Sequence, residues 1–74
     1  MTRNKMLKKL YKLANELLKD YTFDKWNEMW NLCCDWNRTH NESEEIFMSE
    51  TCDEEERVNG FMIEDDVWRW EDID

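Results

Sequence analysis

The chain has 74 residues, of which 19 are acidic and 10 basic, and its formal net charge is −9. A chain of this length buries only about 60–65 % of the surface that its unfolded form exposes, so we predict one small domain over residues 1–74 with a thin core. Five Trp, three Phe and five Met, no Pro and a single Gly exclude a flexible linker and a collagen-like chain, and they favour a folded domain.

The charge changes sign along the chain. Residues 1–20 hold six Lys or Arg and two acids, a net charge of +4. Residues 41–74 hold two Arg and fourteen acids, a net charge of −12. Because DNA and RNA are themselves polyanions, we expect the acidic half to make no direct contact with nucleic acid.

The first half of the chain predicts two helices. Leu and Tyr residues recur there at i, i+3, i+4 and i+7, which indicates a first helix over about residues 4–20. Thr22 is a typical N-cap for a second helix over about residues 22–40. Tyr21 before this cap and Trp26 four residues after it have the spacing of a hydrophobic staple. The short connection predicts an antiparallel helical hairpin.

The second predicted helix carries more large apolar side chains than one narrow face can bury. They are Trp26, Met29, Trp30, Leu32 and Trp36. Exposed Trp and Met are enriched at protein interfaces, so an exposed part of this stripe would be a protein-binding surface.

The acidic second half lacks a helical stripe and predicts short strands. Runs of β-branched and aromatic residues place them near residues 45–51, 55–58 and 61–64. Asn59-Gly60 is predicted to turn the last pair, and the run CDEEE is the other candidate turn. The closing segment VWRWEDID is then a tail, whose candidate anchors are Val67, Trp68, Trp70 and Ile73.

The predicted fold is therefore α+β, a helical hairpin followed by a small antiparallel β-hairpin or three-stranded sheet. The alternative is an all-α three-helix domain, in which residues 43–58 form a third helix and Gly60 follows its C-terminus, where glycine is common.

The composition gives no basis for an enzyme, a cofactor or a metal site. The chain has one His, no Ser/His/Asp set and no glycine-rich phosphate loop. Cys33, Cys52 and His40 lack the paired short spacing of zinc ligands. An EF-hand loop starting at Asp53 would need Gly where Val58 stands.

The sequence also predicts a cytoplasmic protein without membrane contact. Its N-terminal segment has no uninterrupted apolar stretch of the kind a secretory signal requires. No run approaches the roughly 18 apolar residues of a membrane span. Three cysteines without a CxxC pair fit reduced thiols in an intracellular compartment.

The clustered carboxylates are the candidate partner-binding residues. Alternate strand residues lie about 6.6–6.8 Å apart, a spacing on the scale of backbone phosphates, so carboxylates on a rigid hairpin are expected to fit a groove lined with Lys and Arg. Rigid groups lose little conformational entropy on binding. The candidates are Glu50, Asp53, Glu54, Glu55, Glu56, Glu64, Asp65, Asp66, Glu71 and Asp72, with Trp68 and Trp70 as apolar anchors.

The segments SETCDEEERV, IEDD and WRWEDID resemble, in composition, the small acidic phage-encoded inhibitors of bacterial defence, such as anti-CRISPR proteins and other DNA mimics. The resemblance covers about the C-terminal half and carries over no individual residue. It implies an inhibitor that blocks the DNA or RNA groove of a nucleic-acid-binding host protein, such as a CRISPR-Cas or other defence nuclease, in the cytoplasm of an infected bacterium. The basic first helix departs from a uniformly acidic mimic.

The alternative hypothesis is a protein-interaction adaptor that binds through the Trp/Met stripe of the helical hairpin. In that case the acids would only keep the protein in solution. A homodimer built on the leucine face of the first helix is compatible with either hypothesis.

Overall fold

The computed structural model describes residues 1–72. Two helices precede three strands, which form one antiparallel sheet in the order β1-β2-β3. The bounds are α1 Arg3–Lys19, α2 Phe23–Thr39, a 3₁₀ helix Glu42–Glu44, β1 Met48–Cys52, β2 Val58–Ile63, β3 Asp66–Arg69 and a second 3₁₀ helix Trp70–Asp72. The predicted α+β fold is confirmed, and strands occupy the segment for which the all-α alternative required a third helix.

Both helices begin at a threonine cap. The backbone N–H of Lys5 donates to Oγ1 of Thr2, and that of Lys25 donates to Oγ1 of Thr22, each at 3.2 Å. Each bond satisfies one of the N–H groups that a helix start leaves without an intrahelical partner. The helices therefore begin and end within two residues of the predicted bounds.

The core lies between the helical hairpin and one face of the sheet. Most of the leucine face of α1 packs there, with Leu10 and Leu17 buried and Leu7 partly buried, and a homodimer on this face stays a prediction. The buried side chains are Met6, Leu10, Ala14 and Leu17 from α1, Met29, Cys33 and Trp36 from α2, and Ile46, Phe61 and Ile63 from the β half.

The side chain of Asn37 fixes the segment that leads into β1. Its amide donates to the carbonyl oxygen of Ile46 at 2.8 Å and accepts from the Ile46 N–H, also at 2.8 Å. The indole Nε1 of Trp36 donates to the Glu44 carbonyl oxygen at 2.8 Å. Side chains of α2 thus hold the backbone of the segment that connects α2 to the sheet.

The predicted Asn59-Gly60 turn is wrong, because both residues lie inside β2. A Cβ at position 60 would overlap the carbonyl oxygen of Trp68, so the glycine is required by the close approach of β3. Asn59 is the extra residue of a bulge opposite β1, where the pairing shifts between Thr51 and Cys52.

The chain reverses instead at two acidic turns. The first acidic turn, residues 53–56, follows β1, and the second acidic turn, residues 64–65, joins β2 to β3, which begins at Asp66. The predicted strand over residues 55–58 is therefore wrong except for Val58, whereas the other candidate turn, CDEEE, is confirmed. Local propensity favours a turn at Asn59-Gly60, but the pairing of β2 with β1 and β3 places the turns on either side of β2.

Residues 67–72 of the closing segment lie in β3 and in a 3₁₀ helix, where a tail was predicted. The ring of Trp68 stacks on that of Phe61 at 5.4 Å, and its Nε1 donates to Oδ1 of Asn15 at 3.2 Å. The ring of Trp70 lies 5.4 Å from that of Phe61. Both Trp residues anchor the segment, while Ile73, the other large candidate, lies outside the described residues.

We expect two of the three thiols to react in the folded protein. Cys34 and Cys52 are exposed, whereas Cys33 is buried. Burial raises the pKa of Cys33 to about 11, which lowers the fraction of reactive thiolate near pH 8. Ellman's reagent should titrate two thiols in the native protein and three after denaturation, and a Cys34→Ser/Cys52→Ser variant should react only when denatured. Rapid native reaction of all three would contradict the buried position of Cys33.

Candidate partner-binding surface

Asp53 holds the first acidic turn in one conformation. Its Oδ1 accepts from the N–H groups of Glu55 at 2.9 Å and Arg57 at 3.0 Å. Backbone bonds close the same loop, from the Asp53 N–H to the Arg57 carbonyl oxygen at 2.9 Å and from the Glu56 N–H to the Asp53 carbonyl oxygen at 3.0 Å. Asp53 is therefore a turn-forming residue as well as a charge.

The other carboxylates of this turn point into solvent. Glu54, Glu55 and Glu56 are all exposed. Arg57 pairs with Asp53 at 3.2 Å and with Glu55 at 3.2 Å. Among the residues that the structure describes, Glu54 and Glu56 make no ion pair.

The second acidic turn is tied to the start of α1. The half-buried Glu64 forms an ion pair with Arg3, whose guanidinium also donates to the Glu45 carbonyl oxygen at 3.1 Å. Asp65 and Asp66 are exposed. Partial burial, and after it the hydrogen bond and charge of the nearby Asp66 carboxylate, raise the pKa of Tyr11.

Each acidic turn holds a glutamate in the left-handed backbone region. Glu56 has φ 65° and Glu64 has φ 55°. This conformation costs a non-glycine residue about 1–2 kcal/mol, and Gly or Asn adopts it more readily. At position 56 the chain carries a carboxylate that is unpaired among the described residues, where Gly or Asn would suit the backbone better, whereas the Glu64 carboxylate pairs with Arg3.

The two acidic turns lie at opposite ends of β2. Six residues at about 3.3 Å each separate them by roughly 20 Å. The predicted ladder of carboxylates on alternate strand positions does not occur, because Glu50 and Asp66 are the only acids inside the strands. The charge is concentrated at the two ends of the sheet instead of along its face.

The remaining predicted partner-binding residues lie in β1, in β3 and in the second 3₁₀ helix. Glu50 is exposed on β1, and Glu71 is exposed in the second 3₁₀ helix, which ends at Asp72. Trp68 and Trp70 are half-buried and pack on the core. Asp74, which belongs to the last acidic cluster of the sequence, lies outside the described residues.

Sequence reasoning missed the cleft beside Glu50. Its wall is formed by Tyr21, Trp26, Val58 and Trp70, from four different parts of the chain. The staple-like spacing of Tyr21 and Trp26 is the one local signal that these two residues share an environment. Nothing in the sequence brings Glu50 or Trp70 to them.

Positive charge is concentrated on α1. Its five lysines are exposed, so the domain has a basic helix and acidic turns at the two ends of its sheet. They are Lys5, Lys8, Lys9, Lys12 and Lys19.

Within residues 1–72, no helix combines the length and apolar character that crossing a membrane requires. The same residues bring together no group of three or more His, Cys, Asp or Glu side chains suited to a metal ion. Comparison with protein-family models, curated proteins and solved structures finds no match for this chain.

Proposed function

We propose that this protein is a non-enzymatic inhibitor that binds a nucleic-acid-binding host protein and blocks its DNA or RNA groove. Its carboxylates replace the phosphates of the nucleic acid. The partner class is a CRISPR-Cas or other defence nuclease, met in the cytoplasm of an infected bacterial cell.

The observation that carries the proposal is the left-handed glutamate of the first acidic turn, Glu56. Glu56 retains a charge at the expense of local backbone stability, whereas the charge of the left-handed Glu64 is paired with Arg3. Residues that break a local rule without a structural benefit concentrate at functional sites. Since Glu56 makes no ion pair among the described residues, binding to a cationic partner is the benefit we assign to its charge.

The spacing of the acidic turns also supports the proposal. A DNA duplex carries one charge per about 1.7 Å of axis, so a 20 Å length carries roughly a dozen. A groove built for that length has cations over its whole extent, and the two turns would engage its two ends. Hydrogen bonds at Asp53 and the Arg3–Glu64 pair pre-organise the carboxylates, which lowers the entropy lost on binding.

The adaptor alternative receives less support. It requires an exposed Trp/Met stripe on α2, yet Met29 and Trp36 are buried. Trp26 and Trp30 are half-buried and lie against each other at 5.7 Å between ring centroids. Little of the stripe is left to form an interface.

The test is affinity capture from a bacterial lysate, with matched washes at about 50 mM and about 200 mM salt. We expect a nucleic-acid-binding protein at the lower salt, a steep loss at the higher salt, and displacement by the DNA or RNA that it normally binds. A complex that neither salt nor nucleic acid weakens would contradict the proposal.

A further inference from the structure

A cleft of about 390 Å³ lies where the start of α2 meets the sheet. Three aromatic side chains, Tyr21, Trp26 and Trp70, line it together with Val58 and Glu50. Its volume falls in the range of small-ligand sites, which is about 300–1,000 Å³. Glu50 is the one charged residue among the described residues of this wall.

The Trp70 ring stands at a steep angle to each of the other two rings. The Trp70 ring stands at 72° to the Tyr21 ring, with centroids 5.3 Å apart, and at 77° to the Trp26 ring, with centroids 6.2 Å apart. Trp26 is held from behind by Phe61 at 5.2 Å. A cation in the cleft would have these aromatic rings in its wall, and cations are attracted to aromatic faces within about 6 Å of the ring centroid.

The charge of the cleft selects a cation. Glu50 is exposed and makes no ion pair within the described part of the chain. A neutral apolar ligand would desolvate this carboxylate without replacing its hydrogen bonds, and an anion would be repelled. The first acidic turn begins directly after β1, so it adds negative charge near the same end of the sheet.

We propose that this cleft binds the guanidinium group of an arginine side chain on the partner, an inference that rests on the proposed function for the partner's basic surface. Guanidinium is planar, weakly hydrated and able to stack on aromatic rings while its N–H groups pair with a carboxylate. A lysine ammonium is a compact, strongly hydrated charge and fits a stacked site less well. Arginine is also a preferred residue for binding nucleic acid. A nucleic-acid groove that the acidic turns would enter therefore contains arginine side chains.

The cleft can be tested without the partner, with N-acetylarginine amide as the probe. Titration into ¹⁵N-labelled protein should shift the indole N–H signals of Trp26 and Trp70 to saturation. The citrulline analogue, which has nearly the same shape but no charge, should bind at least about fivefold more weakly. Shifts of equal size with both probes, or no saturable shift, would overturn the inference.

Two variants test whether the side chains of Glu50 and Tyr21 bind the arginine probe. Glu50→Gln and Tyr21→Leu should each weaken arginine binding about two- to fivefold, the range for exposed cation–π and ion-pair contacts. Both side chains are substantially exposed, so the fold is retained. Phe23→Leu is the matched control, because Phe23 is 67 % exposed and does not line the cleft. Equal weakening by Phe23→Leu would count against the site.

The two proposals fail in different ways. If the arginine probe does not bind but the salt-sensitive complex forms, this inference is wrong and the proposed function stands. If the probe binds with the expected selectivity but no nucleic-acid-binding partner is captured, the cleft stands as an arginine site and the groove-blocking function is wrong.

Discussion

Gly60→Ala is expected to lower the melting temperature by about 10–20 °C. The added Cβ would overlap the Trp68 carbonyl oxygen, which is backbone and cannot move by a rotamer change. Overpacking of this kind costs about 1–3 kcal/mol, and each kcal/mol shifts the melting temperature of so small a domain by about 4–8 °C. Either β3 separates from β2 at this position or both strands distort.

The same substitution should disturb the aromatic core. Trp68 stacks on Phe61 through the β2-β3 register, with an angle of 6° between the rings, so a displaced β3 breaks the stack. We expect loss of near-ultraviolet circular dichroism together with the lower melting temperature. Ser49→Ala on the outer face of β1 is the control, because it adds no atom to the sheet. A Gly60→Ala protein that melts within about 2 °C of the original would show that the sheet accommodates the Cβ.

The role of Gly60 marks the limit of what the sequence predicts about this fold. Helix bounds follow from periodicity and, for α2, from the predicted cap Thr22, both of which act within one turn of chain. Asn59-Gly60 is a strong local turn signal, yet the glycine is needed for the approach of Trp68, eight residues away. Strand register depends on such nonlocal contacts, which a propensity cannot represent.

The candidate site likewise combines features that the sequence predicts with features that depend on nonlocal contacts. Composition alone identifies an acidic surface, but the hydrogen bonds of Asp53 and the ion pair of Glu64 with Arg3 depend on the turns and on α1. The aromatic cleft depends on a still longer range, because Trp70 packs beside Tyr21 only after the sheet has formed. The sequence shows which residues are charged, but the fold determines where those charges lie.

Neutralising the first acidic turn is expected to weaken partner binding about 10- to 100-fold without loss of stability. The variant is Glu54→Gln/Glu55→Gln/Glu56→Asn, and it spares Asp53 because that side chain forms the turn. Three exposed ion pairs at about 0.5–1 kcal/mol each give this range. Asn tolerates the left-handed backbone better than Glu, and removal of three like charges reduces repulsion, so the melting temperature should stay equal or rise.

The matched control removes three charges from the helical side of the molecule. Asp24, Glu28 and Asp35 are exposed on α2, and Asp24→Asn/Glu28→Gln/Asp35→Asn has the same net charge as the turn variant. If partner binding depends on where the carboxylates lie, the turn variant should bind at least about tenfold more weakly than this control, and its affinity should depend less steeply on salt. Equal losses in both variants would mean that only net charge matters. In that case the left-handed Glu56 would need another explanation than recognition of a cationic groove.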